Sequence, residues 1–321
     1  MAILITGVAG FVGVNLAREL VSQGKRIFGI DNLSRGTMGN LACLNENFNF
    51  TFSELDISNL HDYQSAICQF ELIEKITEVW HLAANSDIPA GVNDSMVDLK
   101  DTFMTSFNTL LVMKEFGIKR LAFASSSAIY GDHGSIPLLE NLGPLLPISN
   151  YGAMKLASEA AISAAVESFL TGAFIFRFPN VIGIPATHGV MLDFVRKLKS
   201  SPHSLDVLGN GSQQKGYLHV EELVDAMLFI RNNSQEKVSV YNIGADDDGV
   251  TVKFIAEKTV KAASPHARIV YGEGNKGWLG DVPKFIYSID KLKKLGWTPK
   301  FGSAQAVEKA IKQIVDQEAL R

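Results

Sequence analysis

The chain has 321 residues, with 30 Lys and Arg against 34 Asp and Glu, a formal net charge of −4 and a sequence pI near 6.0. This balance excludes the basic field that nucleic acid or an anionic membrane surface requires, and no apolar run reaches the ~18 residues that span a bilayer. The length suits one large α/β domain or two lobes, and the two cysteines, Cys43 and Cys68, lack metal-ligand spacing and read as reduced thiols of a cytoplasmic protein.

The chain opens on a buried strand, AILITG (2–7), with no charged n-region or cleavage site before it. A helix over 11–24 ends near Gly24. Strands follow at 26–31 and 50–56, a helix at 61–70 and a fourth strand at 77–84. Apolar residues at helical spacing predict one long helix over 98–117, then a strand at 120–127, a second long helix from Tyr151 to about Leu170, and a strand at 173–181. Strands alternating with helices predict a doubly wound parallel sheet covered on both faces. Beyond residue 181 the rhythm breaks and Gly and Pro cluster, although VYNIG (240–244) can return a strand to the sheet. The expected organisation is a nucleotide-binding domain over 1–181, with a returning segment near 217–245, and a smaller α/β substrate lobe over most of 182–321.

Two places carry chemistry. The first is TGVAGFVG (6–13), between the first strand and the first helix. Gly7 permits the tight turn, Gly10 lets backbone N–H groups approach a pyrophosphate, and Gly13 lets helix and sheet pack closely. Asp31 ends the next strand 18 residues after Gly13. Its carboxylate can accept from ribose hydroxyls and repels a 2′-phosphate, which favours NAD over NADP; Arg35 close by works in the opposite sense. Asp56 and Ile57 follow the third strand, where adenine could lie, although an Asx-turn explains Asp56 equally well. HLAA (81–84) ends the fourth strand in small residues that either pass a flat cofactor or pack a helix tightly; His81 reads as structural.

The second place is SNYGAMKLASEAA (149–161). Tyr151 and Lys155 stand at i and i+4 and share a helical face. A free phenol is a poor base at neutral pH, and a neighbouring ammonium is expected to lower its pKa. Such a pair can take a proton from a hydroxyl while hydride leaves the carbon. Tyr and Lys at this spacing are common on exposed helices, so the glycine loop and the polar strand end at Ser125, Ser126 and Ser127 give the pair its meaning. A serine there can orient the reacting oxygen.

Together these segments resemble the extended short-chain dehydrogenase/reductase family, in its NAD-dependent sugar-nucleotide epimerase branch. The resemblance runs through TGVAGFVG, IDNLSRG (30–36), LDIS (55–58), HLAA, SSSAIYGD (125–132), YGAMK, RFPNVIG (177–183), GSQQKGYLHVEELVDA (211–226), NIG (242–244) and GWLGDVPKFIYSIDKLKKLGW (277–297). It implies a Rossmann-type fold, NAD as cofactor and C4 epimerisation of a UDP-glucose/UDP-galactose-type nucleotide sugar through a 4-keto intermediate, with no metal, in a homodimer. Ser127, Tyr151 and Lys155 are the implied catalytic residues. The cofactor would be held by Gly7, Gly10, Phe11, Val12, Gly13, Asp31, Asn32, Ser34, Arg35, Asp56, Ile57, Leu82, Ala83 and Ala84, with Tyr151 and Lys155. The substrate would meet Ser86, Ser127, Tyr151, Asn180, Val190, Lys215 and Asp281, and Phe285 would limit the sugar's 2-substituent. Trp278 stands where many members are basic, with Lys276 nearby, and Thr102 stands where an asparagine is usual. The 4,6-dehydratase branch places an acidic pair after the strand-end hydroxyl; here Ala128 and Ile129 follow Ser127. Epimerases of N-acetylhexosamines or uronates, a reductase, and a non-catalytic dinucleotide sensor remain alternatives, although sensors usually lose the Tyr/Lys pair. Phe103, Phe107, Leu111, Ile162, Val166 and Phe169 on the two long helices are candidates for a dimer face.

Overall fold

The structure, a computed structural model, describes residues 1–134, 136–274 and 287–319. The chain divides into two compact units. The first comprises residues 1–131, 143–178 and 227–241, and the second comprises residues 132–142, 179–226 and 242–321. The segment returning to the first unit is thus Met227–Tyr241, and residues 132–142 leave it.

The first unit is built on strands β1 (Ala2–Thr6), β2 (Arg26–Asp31), β3 (Phe50–Glu54), β4 (Ile76–His81), β5 (Arg120–Ala124), β6 (Gly172–Arg177) and, further along the chain, β11 (Val238–Asn242). Their order across the sheet is β11-β6-β5-β4-β1-β2-β3, and the pairs from β3 to β6 are parallel. Helices α1 (Phe11–Ser22), α2 (Leu60–Ile73) and α6 (Asn150–Ser168) connect strands in the expected alternation. Leu4, Phe28, Val79 and Phe123 pack with Ile67, Phe70, Met113, Ile162 and Val166 in one core cluster. Each such side chain contributes about 1.5–3 kcal/mol when fully buried. Phe28 and Phe70 stack with centroids 4.5 Å apart.

The single helix expected over 98–117 runs on without leaving helical dihedrals at Asp98, Leu99, Met104 and Thr105, but contains a π-helical stretch. After α3 (Ile88–Asn93) come α4 (Ser95–Asp98), a π-helical segment Leu99–Met104 and α5 (Thr105–Glu115). At the end of this stretch Thr105 donates to the Asp101 carbonyl at 2.9 Å and Ser106 to the Thr102 carbonyl at 2.8 Å. Such back-bonding competes with the regular ladder. The strand expected over 173–181 is split. Pro179 has no N–H to give the ladder, so β6 stops at Arg177.

The second unit contains β7 (Asn180–Ile182), α7 (Val190–Ser200), β8 (Ser204–Val207), β9 (Gln214–Lys215), β10 (Tyr217–His219), β12 (Val250–Thr251), α9 (Val252–Ala263), β13 (Arg268–Tyr271), α10 (Asp290–Leu295) and α11 (Ser303–Ala319). Helix α8 (Val220–Asn233) begins here and ends in the first unit. The strands form three two-stranded pieces, β7–β10, β9–β12 and β8–β13. The core of the unit joins α7, α9 and α11 through Leu192, Val195, Leu205, Ile255, Val307 and Ile311.

Candidate active site

At the carboxyl end of β1 the chain turns through Gly7 into α1, whose N-cap is Gly10. No side chain caps this helix and its first turn holds no acid, so the N–H groups of Phe11, Val12 and Gly13 remain for an anion. Gly13 is required by proximity: a Cβ there would lie 2.1 Å from the Gly7 carbonyl oxygen. A Cβ on Gly10 would meet only that same oxygen, at 3.2 Å, so the approach to the helix N-terminus is open. Asp31 closes the far side. Its Oδ2 accepts from the Ala9 N–H at 2.9 Å and its Oδ1 from the Leu33 N–H at 2.8 Å. Burial raises its pKa against these bonds.

The other expected cofactor residues fall around this loop. Asn32, Ser34 and Arg35 are exposed in the turn after β2, and Ile57 is buried. Burial pushes the Asp56 carboxyl up, but bonds from Lys100 and Ser58 outweigh it and hold the group below its usual range. Leu82, Ala83 and Ala84 follow β4. A Cβ on Gly7 would lie 2.7 Å from the Ala83 nitrogen, so close packing accounts for the small residues there. His81 is buried between Thr6 (2.7 Å) and Ser106 (3.0 Å); burial and then the Lys155 charge push its pKa down to about 3, a structural imidazole.

The groups expected to handle protons gather at the carboxyl end of β5. Ser149 caps α6, accepting from the Gly152 N–H at 3.1 Å. Gly152 lets α6 press on the following 3-10 turn, Ser127–Ile129: a Cβ there would lie 2.4 Å from the Ala128 carbonyl oxygen. Tyr151 is thereby brought to the strand end. The hydroxyl that bears on its phenol is that of Ser126, not the expected Ser127. The reason is local. The strand stops at Ala124, Ser126 is extended (φ −151°, ψ 153°) and caps the 3-10 turn, and Ser127 already belongs to that turn, its N–H donating to the Phe178 carbonyl at 3.2 Å. No charge pattern in the sequence distinguishes the three serines.

Burial also reverses an electrostatic expectation. Tyr151 is not lowered by its lysine; desolvation, with a further contribution from Asp98, pushes the phenol up to about 12, against the Ser126 hydroxyl. Lys155 is 1% exposed, donates to the Ala124 carbonyl at 2.6 Å and lies 5.9 Å from the Tyr151 ring centroid. Burial pulls it down to about 7, while Glu159 and Asp98 oppose that fall. Beneath it, Glu159 accepts from Arg177 at 2.6 and 3.0 Å and from Ser125, and Arg177 also donates to the Tyr130 hydroxyl at 3.0 Å. Asp98 Oδ1 accepts from Asn85 at 2.9 Å, while its buried Oδ2 has no hydrogen-bond partner among the described residues. Arg177 opens RFPNVIG, but the sequence assigns no role to it, to Glu159 or to Asp98, because their partners are distant in the chain.

Of the expected substrate residues, Ser86 is exposed in the loop after β4. Asn180 begins β7 and donates to the Gly216 carbonyl at 3.3 Å, next to Lys215 of β9. Val190 is the first residue of α7. Asp281 and Phe285, with Lys276 and Trp278, lie outside the described residues.

The sequence profile described as the NAD dependent epimerase/dehydratase family matches residues 3–244. The chain belongs to that family. The UDP-glucuronate 4-epimerase of Thermodesulfobacterium geofontis (strain OPF15) is 26% identical over 314 residues, covering 96% of this chain and 94% of the relative. The epimerase/dehydratase chain also superposes on a crystal structure of UDP-galactose 4-epimerase with TM-score 0.83, at 29% identity and 99% coverage of both chains. The UDP-glucose 4-epimerase of Thermotoga maritima, solved with UDP-glucose, gives TM-score 0.85 at 26% identity, with all of both chains covered. The cofactor is therefore NAD, and the first unit fits it: an open, uncapped helix N-terminus for the diphosphate and a carboxylate at the end of β2 for the adenosine ribose.

Proposed function

We propose that this chain interconverts the C4 epimers of a UDP-linked hexose of the UDP-glucose/UDP-galactose type. The observation that carries the reading is the Ser126–Tyr151–Lys155 set at the carboxyl edge of β5, the same sheet edge on which the glycine loop leaves β1. The 4-epimerase relatives support it.

Tyr151 takes the proton of the sugar 4-hydroxyl, and Ser126 holds that oxygen in place. The glycine loop and Asp31 would hold NAD, which when bound would supply a reversible hydride acceptor for C4. The 4-keto sugar turns and presents its other face, and Tyr151 gives the proton back to the 4-oxygen, so nothing is oxidised overall. Ser126 is the group that favours the phenolate, and Glu159 and Asp98 favour the charged form of Lys155. Ser127 and Ala128 follow Ser126, so the carboxylate needed to eliminate water is missing from this turn. Lys215 is assigned to the substrate diphosphate, and Asn180, Val190 and Ser86 to the rest of the nucleotide sugar.

The protein is further proposed to be a cytoplasmic homodimer. Phe107 and Leu111 are exposed, and Phe103 stacks on Phe107 with centroids 6.0 Å apart, an apolar stripe along one helical run. Ile162 and Val166 are removed from that face, because they are buried in the core of the first unit, and Phe169 packs against the same core. Light scattering is expected to give twice the chain mass; a monomer at micromolar concentration contradicts the dimer.

A proton NMR time course with UDP-galactose and no added cofactor tests the function. The UDP-glucose anomeric signal is the expected result, and parallel runs with UDP-glucuronate and UDP-N-acetylglucosamine select the sugar. No turnover of any nucleotide sugar, even with NAD added, overturns the reading.

A further inference from the structure

Arg35, four residues beyond Asp31, already has a partner. Its Nη1 lies 3.1 Å from Asp87 Oδ2. Arg35 follows β2, Asp87 follows β4, and β1 lies between those strands. The ion pair therefore reaches across the carboxyl edge of β1, where the glycine loop starts. Both ends are anchored. The turn carrying Arg35 is tied down by Leu33 N–H to Asp31 Oδ1 at 2.8 Å and Ser34 N–H to Asn32 Oδ1 at 3.0 Å. Asp87 N–H donates to Asn85 Oδ1 at 2.8 Å, and Asp87 Oδ1 caps α3 by accepting from the Ala90 N–H at 3.2 Å. Oδ2 is left for the guanidinium.

In sites of this kind the acid ending the second strand meets the ribose 2′-hydroxyl, and a nearby arginine is what accommodates a 2′-phosphate. We propose that Asp87 is a cofactor-specificity residue that acts by holding Arg35: it occupies the guanidinium a 2′-phosphate would need and keeps the site selective for NAD over NADP. The proposal rests on the glycine loop being the NAD site. Two electrostatic effects act in the same direction. Asp87 engages the cation, and its own negative charge adds to that of Asp31 against a phosphate dianion. The side chains are 42% and 36% exposed, so water weakens the pair and selectivity is expected to shift without loss of the fold.

The full-length protein, stripped of nucleotide, is titrated calorimetrically with NAD and with NADP. Asp87→Asn removes the charge but keeps an oxygen able to cap α3. It is expected to lower the ratio of NADP to NAD dissociation constants roughly tenfold, chiefly by tightening NADP. Asp87→Glu is expected to keep the native ratio, and adding Arg35→Gln to Asp87→Asn to restore most of it. A purely structural role for Asp87 would weaken both dinucleotides alike and leave the ratio unmoved. An unchanged ratio in Asp87→Asn, or a double variant as tolerant of NADP as the single one, overturns the proposal. If the unaltered protein binds neither dinucleotide, the NAD site itself is overturned and the proposal with it, a result distinct from binding with an unmoved ratio.

Discussion

Two places on this sheet edge, the ends of β1 and β5 with β4 between them, offer a ligand different materials. At the glycine loop the binding groups are backbone N–H groups at an uncapped helix start, with no ionisable side chain in the loop. At the strand end after β5, a lysine, a glutamate and an arginine are each less than a tenth exposed. A diphosphate is charged before it arrives, and fixed peptide dipoles suffice for it. A proton that must leave and return needs side chains whose pKa values the fold can move. The first region is therefore expected to tolerate changes of pH and the second to depend on them.

The largest effect should come from separating the two regions. Tyr151→Phe is expected to lower kcat about 10²–10⁴-fold while NAD binding, followed by calorimetry, stays within a few-fold of native. Equal loss of both would make the division untenable. Next comes the ion pair beneath the lysine. Arg177→Ala leaves Glu159 buried without its guanidinium and is expected to cost about 3–5 kcal/mol in urea unfolding, whereas a surface pair such as Lys237–Glu167 contributes less than about 1 kcal/mol.

Lys155→Met should trade activity for stability. Lys155 sits near 7 in the fold against 10.5 when unperturbed, so the unfolded chain binds the extra proton between those values. Native stability then rises with pH through that window, and the penalty is complete below about 7. The variant is expected to be inactive yet about 2–4 kcal/mol more stable at pH 6–7, the gain fading toward pH 10.5. A gain independent of pH would show that packing, not charge, is responsible. The smallest effect distinguishes neighbouring hydroxyls: Ser126→Ala should lower kcat about tenfold and Ser127→Ala less than about threefold. The reverse order would return the catalytic role to Ser127.

What the sequence disclosed follows the range of the forces involved. The glycine loop, Asp31 and the Tyr151/Lys155 pair depend on local spacing, and they were legible, as was the alternation of strands and helices that builds the sheet. Ser126 was not, because only the end of β5 at Ala124 and the turn at Ser127–Ile129 decide which of three serines faces Tyr151. The π-helical segment lies inside an otherwise regular apolar pattern that gives no sign of it. The rise of the Tyr151 pKa depended on burial, which no i, i+4 spacing reports. Glu159 with Arg177, and Arg35 with Asp87, join residues that only the folded sheet brings together.

The central claim is that one half-buried tyrosine moves a proton while C4 loses and regains its own hydrogen. UDP-galactose deuterated at C4, incubated in ordinary water, tests it most directly. The expected result is UDP-glucose that keeps deuterium at C4. Deuterium lost to water, or found at C6, would contradict the account.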